Sequence, residues 1–162
     1  MSASVQTGTA ESRWRLLSQT AEYALRAVLH LASYPTDQPV GTAEIAAQLD
    51  VPERYLARVL NALTRAGVLH STRGAQGGYT LAVSPFDLRL AEVVAPFDAV
   101  GEPPQCLLRD QRCGVGEPCI AHNRWHDIAG NVRLFFQQTT VGDLITADPR
   151  DSQADGTRSD DA

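Results

Sequence analysis

Residues 41–81 read GTAEIAAQLDVPERYLARVLNALTRAGVLHSTRGAQGGYTL, and this stretch decides the fold. Thr42 is expected to cap a short helix that buries Ile45, Ala46 and Leu49. Asp50-Val51-Pro52 reads as a turn, with Pro52 near the start of a second helix that runs to about Ala66 and stops at Gly67. Val68–Ser71 and Tyr79–Val83 are short strand candidates, and the turn-rich run Thr72–Gly78 between them makes a hairpin tip. Two helices joined by a tight turn and followed by a hairpin predict a winged helix-turn-helix.

The second helix splits cleanly. Leu56, Val59, Leu60 and Leu63 share one face, while Arg54, Arg58, Asn61 and Arg65 share the other. A recognition helix needs that division: an apolar anchor, and exposed guanidinium forks that pair with guanine edges or phosphate oxygens. Its first turns reach deepest into a groove, so Arg54, Tyr55 and Arg58 are the expected contacts. The wing adds Arg73 and Gln76, with glycines at 74, 77 and 78 expected to let backbone approach phosphate. On a lone helix, such arginines would merely solvate an amphipathic face. The order of helix, turn, helix and Arg/Gly hairpin favours DNA over that reading, and over a winged helix that contacts only protein.

Working outward, residues 1–12 are small and polar and are expected to be disordered. A helix is expected from Leu17 to about Tyr34, with Ala21, Leu25, Val28 and Ala32 on its periodic face. Beyond the wing, Leu90–Ala95 suggests a short helix. A long one is expected over 120–139, with Trp125, Ile128, Ala129, Val132, Phe135, Phe136 and Thr139 on one face. Val141–Ile145 is a short apolar stretch, and 146–162 is an acidic tail expected to be disordered. The fold class is therefore mainly α with a small β-wing. A reading head spans 17–98, a loop 99–119, and a C-terminal helix suited to dimerisation follows.

The net charge of −5 is unevenly placed. Residues 13–80 hold seven Arg against five acidic residues, so the acidity lies outside the reading head. Phosphate contact needs local cations rather than a basic chain, so DNA binding is permitted. No apolar run is long enough to span a membrane, and the N-terminus lacks a basic start followed by an apolar stretch; a cytoplasmic protein is expected. His30, His70, His122 and His126 are scattered without a paired nucleophile and base, so no enzyme and no catalytic residue is expected.

All three cysteines fall in the Pro/Gly-rich loop, spaced Cys106-x6-Cys113-x5-Cys119-x2-His122. Three clustered thiols in a cytosolic chain suggest metal ligation or redox chemistry before a disulfide framework. Thiolates suit an iron–sulfur cluster or zinc, and imidazole serves either. Zinc sites favour close Cys pairs, absent here, whereas wide spacing suits a larger object. The competing readings are a zinc site, a direct thiol/disulfide switch, or a His122/His126 metal pair. His122 itself is equally readable as a solvated residue at a helix start.

The run Leu17–Arg26, the wing Arg73-Gly74-x-x-Gly77-Gly78-Tyr79, the three-Cys loop and Thr140-Val141-Gly142-Asp143-Leu144 together resemble the Rrf2 family of bacterial regulators, of the IscR, NsrR and RirA type. The resemblance covers about Leu17 to Ile145. It implies a homodimeric winged-helix regulator of double-stranded operator DNA, with a redox-labile iron–sulfur cluster beside the dimer helix. His122 matches the Cys-x2-His end of the IscR type, which holds a two-iron, two-sulfur cluster; this is the favoured assignment. Glu22 sits where NsrR-like members place an acidic ligand from the partner subunit for a four-iron cluster, and it is equally readable as a first-turn acid favoured by the helix dipole. Two departures stand out. The first Cys spacing is longer than is common in the family, and Ala57 replaces an acidic specificity residue of the IscR type, so operator sequence does not transfer.

Overall fold

The computed structural model describes residues 16–35, 37–74, 76–100 and 106–147. The proposed N-terminal extension and the tail beyond residue 147 lie outside the described residues.

The core is built around α1 (Gln19–Ala32). Ser18 caps it, its hydroxyl accepting the Ala21 N–H at 3.2 Å, so the helix starts at Gln19 and not at Leu17. Its buried residues are mostly small: Ala21, Ala24 and Ala27, with Val28 and Leu31. Small side chains let neighbouring helices approach closely, and α1 touches α2 (Thr42–Leu49), α3 (Glu53–Arg65), α4 (Leu90–Val94) and α6 (Val141–Thr146).

The helix-turn-helix is α2 and α3. Gly41, not Thr42, is the N-cap of α2, and Thr42 is its first helical residue. The turn depends on Asp50, held at φ 53° as a left-handed cap, with Val51 N–H bonding back to the Ala46 carbonyl at 3.0 Å. Asp tolerates this conformation better than most residues because its short polar side chain can hydrogen-bond locally. In α3, Leu56, Val59, Leu60 and Leu63 are buried while Arg54, Arg58, Asn61 and Arg65 are exposed, as the periodicity requires. Full burial of each such aliphatic side chain contributes about 1.5–3 kcal/mol before entropy is counted.

The wing is β1 (Leu69–Thr72) paired antiparallel with β2 (Gly78–Leu81), in a register that sets Leu69 against Leu81 and Thr72 against Gly78. β1 is displaced by one residue from expectation, and β2 starts one residue early and ends two residues early. Gly67, at φ 78°, closes α3 through a Val68 N–H bond to the Leu63 carbonyl, while the Val68 carbonyl accepts the Ala82 N–H at 3.0 Å just beyond the paired strands. A two-bond bridge ties Tyr79 to Val40, at 3.1 and 2.9 Å, and fastens the wing to the residue before the α2 cap.

Gly78 makes that bridge possible. A Cβ there would stand 2.4 Å from the Val40 carbonyl oxygen. Gly78→Ala must therefore open the bridge, losing two hydrogen bonds worth about 1 kcal/mol each and adding steric strain of about 1–3 kcal/mol. We expect a melting temperature lower by roughly 5–15 °C. Gly130→Ala, on α5 (His122–Gln138) with open space around it, should leave the melt unchanged or raise it slightly. Equal melts for the two variants would refute this role for Gly78.

After the wing, backbone hydrogen bonds draw the C-terminal elements onto the reading head: Leu90 N–H to the Thr139 carbonyl at 3.0 Å and Val141 N–H to the Leu88 carbonyl at 2.8 Å. Residues 141–145, read only as an apolar stretch, begin a helix, α6. Thr140 and Asp143 form its capping box, with the Asp143 carboxylate accepting the Thr140 N–H at 2.8 Å and the Thr140 hydroxyl accepting the Asp143 N–H at 3.1 Å. Those Thr140 bonds hold the Asp143 carboxyl below the usual carboxylate range. Thr146 closes this helix, its hydroxyl donating to the Gly142 carbonyl at 2.8 Å, so structure persists through the residue expected to open the tail.

The long helix α5 behaves differently from the others. Of the apolar face expected along it, Phe136 alone is buried. Val132 is half-buried against the core, while Ile128 and Phe135 are 53% and 50% exposed. Among the described residues, about half the surface of these two side chains is uncovered. No helix among the described residues is long and apolar enough to cross a membrane.

Candidate nucleic-acid interface and cysteine site

Four of the five residues expected to touch DNA are exposed on the reading head, two on α3 and two on the wing. Arg54 and Arg58 are exposed near the start of α3 and line a shallow open surface with Pro52, Tyr55 and Ala57. Neither guanidinium has a hydrogen bond or ion pair among the described residues. Arg73 and Gln76 are exposed on the loop that joins the two strands. Free, uncompensated cations on a rigid helix are what phosphate and base edges require.

Tyr55 is different. Its hydroxyl is hydrogen-bonded to the Thr20 hydroxyl at 2.5 Å, and its ring meets Tyr23 edge-on at 5.9 Å. It remains 37% exposed. It therefore ties the front of α3 to α1 as well as facing solvent, and Thr20 and Tyr23 join the site as supports that the sequence did not single out. Arg26 lies over Tyr23 and reaches the Leu49 carbonyl at 3.4 Å, so this arginine serves the end of α2.

The wing glycines also divide. Gly77 and Gly78 are consumed by the protein's own backbone: a Cβ on Gly77 would fall 2.3 Å from the Thr72 carbonyl oxygen. Only Gly74, at φ 120° with nothing within 4 Å, is open at the tip as the phosphate-approach reading expected of all three.

The cysteine loop is organised by its own polar groups. Cys106 N–H bonds to the Gln111 carbonyl at 2.8 Å, the Gln111 side chain donates to the Val115 carbonyl at 2.7 Å, and Arg109 donates to the Glu117 carbonyl at 3.0 Å. Gly114 and Gly116 both take positive φ, which lets the chain reverse around Cys113. The four candidate donors then fall into two pairs. The Cys106 and Cys119 sulfurs lie 3.6 Å apart, and Cys113 Sγ lies 3.2 Å from His122 Nδ1. The His122 N–H bonds to the Cys119 carbonyl at 2.9 Å, linking the pairs through the start of α5. Cys113 is buried, whereas Cys106 and Cys119 are half-buried.

Among the described residues, no three His, Cys, Asp or Glu side chains converge closely enough to hold a metal ion. The donor chemistry nevertheless suits a soft metal centre, since thiols and an imidazole gather in one loop. Glu22 lies in the first turn of α1, on a different element from the thiols. His126 lies one turn from His122, with ring centroids 5.8 Å apart and planes tilted by 35°, and is exposed.

The backbone N–H of Leu108 holds the Cys106 thiol below its ordinary value; burial opposes this, and the Cys119 thiol and Arg109 assist. A lowered value means more thiolate near neutral pH. In reduced, metal-free protein, iodoacetamide should therefore label Cys106 about three- to tenfold faster than the buried Cys113. Peptide mass mapping over time measures this, and Cys113 labelling first would contradict it.

Residues 17–147 match the family model described as Rrf2, an iron-dependent transcriptional regulator. The HTH-type transcriptional regulator IscR of Photobacterium profundum is 30% identical over 129 residues, covering 80% of this chain and 74% of that protein. Among solved structures, CymR of B. subtilis superposes with a TM-score of 0.69 at 27% identity, over 82% of this chain and 98% of CymR. IscR of T. potens shares the fold, with a TM-score of 0.65 at 22% identity over 90% of this chain and 94% of its own. With the helix-turn-helix, the wing and the docked C-terminal helix in family order, the chain belongs to the Rrf2 family of transcriptional regulators and is not an enzyme.

Proposed function

We propose that this regulator acts in the cytoplasm as a homodimer on double-stranded operator DNA, with its affinity set by an iron–sulfur cluster held by Cys106, Cys113, Cys119 and His122. The observation that carries the reading is the gathering of three thiols and an imidazole into two linked pairs at the entrance to α5. A two-iron, two-sulfur centre suits one His with three Cys. Glu22 of a second subunit is the alternative fourth donor, in a four-iron centre. When bound, the cluster supplies redox-labile chemistry that responds to oxidants, nitric oxide or iron supply.

Everything else falls to the protein. The exposed apolar face of α5 pairs with its twin, because Ile128 and Phe135 are only half covered among the described residues. Dimerisation sets two copies of α3 on successive major grooves, about 34–36 Å apart. Arg54 and Arg58 contact bases or phosphate, Tyr55 orients the helix, and Arg73 and Gln76 reach the flanking groove. Asp98, just before the loop, accepts the Ser18 N–H at 2.7 Å at the start of α1, and Thr20 of α1 holds Tyr55 of α3. A change in loop shape thus has a continuous bonded route to the reading helix. A coupling of about 1–3 kcal/mol along it is enough to switch occupancy.

Anaerobically purified protein tests this directly. Visible absorbance with stoichiometric iron and acid-labile sulfide is expected, together with a dimeric native mass. Colourless protein containing zinc, or no metal, would overturn the cluster. One observation favours a second reading: sulfurs 3.6 Å apart in Cys106 and Cys119 are placed for a dithiol switch. That reading requires a loss of two mass units on oxidation and an affinity change in metal-free protein.

A further inference from the structure

A cavity of about 300 Å³ lies between the end of α4, the segment that follows it, and α5. Its apolar walls come from Ala91, Ala95, Val100 and Phe136, and two charged groups of opposite sign, Asp98 and Arg133, share its lining. Gln137, one helical turn beyond Arg133 on α5, adds an amide on the same side.

The charges are the informative part. Arg133 is half-buried, yet its guanidinium has no hydrogen bond or ion pair among the described residues. A cation withdrawn from water beside Ala and Phe side chains favours an anionic partner. Asp98, also half-buried, uses one carboxylate oxygen to accept the Ser18 N–H at 2.7 Å, leaving the other for a ligand cation. The volume sits at the small end of ligand pockets, and small alanines leave space that larger residues would fill. One chemical class satisfies all three features: a carboxylate for Arg133, an ammonium for Asp98, and an apolar side chain for the walls.

We propose that this cavity binds a small apolar α-amino acid, held by Arg133 and Asp98 as an effector site separate from the thiols. Through Asp98 the site adjoins the α1 N-terminus, so its occupancy bears on that helix. The inference does not depend on the cluster reading.

The test is calorimetry and thermal shift on the full-length protein with alanine, valine, leucine, methionine and phenylalanine. Saturable binding of at least one, with a raised melting temperature, is expected. For leucine, the deaminated 4-methylpentanoate and the decarboxylated 3-methylbutylamine should each bind about tenfold more weakly or worse, since each loses one charged contact. Arg133→Gln and Asp98→Asn should weaken binding similarly; Asn retains an acceptor for Ser18. Ala95→Leu, at an exposed helix end, should fill the cavity and abolish binding while the fold is kept. No saturable binding up to about 10 mM would overturn the proposal. So would affinity unchanged in both Arg133→Gln and Ala95→Leu, or a second copy of the chain found seated in the cavity.

Discussion

Arg54→Ala combined with Arg58→Ala is expected to weaken operator binding by about 10²–10³-fold, with little change in the thermal melt. Both side chains are exposed and make no hydrogen bond or ion pair among the described residues, so the fold loses nothing by their removal. On DNA, each guanidinium contributes about 1–3 kcal/mol if it pairs bidentately with a base. If it meets phosphate instead, it adds close to one unit to the slope of log affinity against log salt. The two cases separate in one titration series. A duplex selected from a random pool by the wild-type protein serves as probe, beside a scrambled duplex of the same length. Base contacts predict that discrimination between the duplexes falls; phosphate contacts predict that both weaken together and the salt slope flattens. Undiminished affinity with an unchanged slope would remove α3 from the interface. Tyr55→Phe is a useful companion. It deletes the bond to Thr20 but keeps the ring against Tyr23, so any loss it causes reports on the orientation of α3.

The α3 surface was legible in the sequence because it obeys a single local rule. Apolar residues at helical spacing leave the arginines on the opposite face whatever the rest of the chain does. Features set by contact between distant segments were not legible. Gly77 and Gly78 read as glycines for a ligand, but their missing side chains make room for Thr72 and Val40. Tyr55 was expected to contact DNA; what the sequence did not reveal is that its hydroxyl and ring also meet Thr20 and Tyr23, more than thirty positions earlier. The helix α6 was hidden for another reason. Five apolar-rich residues carry too little periodicity to identify a helix, and the signal lay in Thr140 and Asp143, whose spacing makes a cap. Along α5 the apolar face was readable, but the exposure of Ile128 and Phe135 among the described residues was not, since periodicity says which residues share a face and nothing about what lies against it. The thiols fall between these cases. Their clustering is visible in the sequence; their division into Cys106 with Cys119 and Cys113 with His122 follows from a turn closed by Gly114, Gly116 and Gln111.

That division makes Cys113→Ala the most discriminating substitution in the molecule. Cys113 is the buried thiol of the three, and its partner is the His122 imidazole at 3.2 Å, at the first residue of α5. Alanine removes one buried sulfur, which should cost about 1 kcal/mol and leave a folded chain. Its chemical consequence under the proposed ligand set is far larger, because three thiolates and one imidazole would lose a soft ligand for which water is a poor substitute. Iron and acid-labile sulfide in anaerobically purified Cys113→Ala protein should therefore fall to background, with loss of all visible absorbance. Operator affinity should settle at that of metal-free wild-type protein. The same variant separates the two proposed switches, since Cys106 and Cys119 remain 3.6 Å apart without needing Cys113. If the dithiol is the sensor, Cys113→Ala protein still loses two mass units on oxidation and still changes its affinity for DNA. If the cluster is the sensor, that response disappears and only a fixed affinity remains. A visible spectrum and iron content equal to wild type would exclude Cys113 as a ligand, and would leave the buried thiol as an apolar filler beside His122.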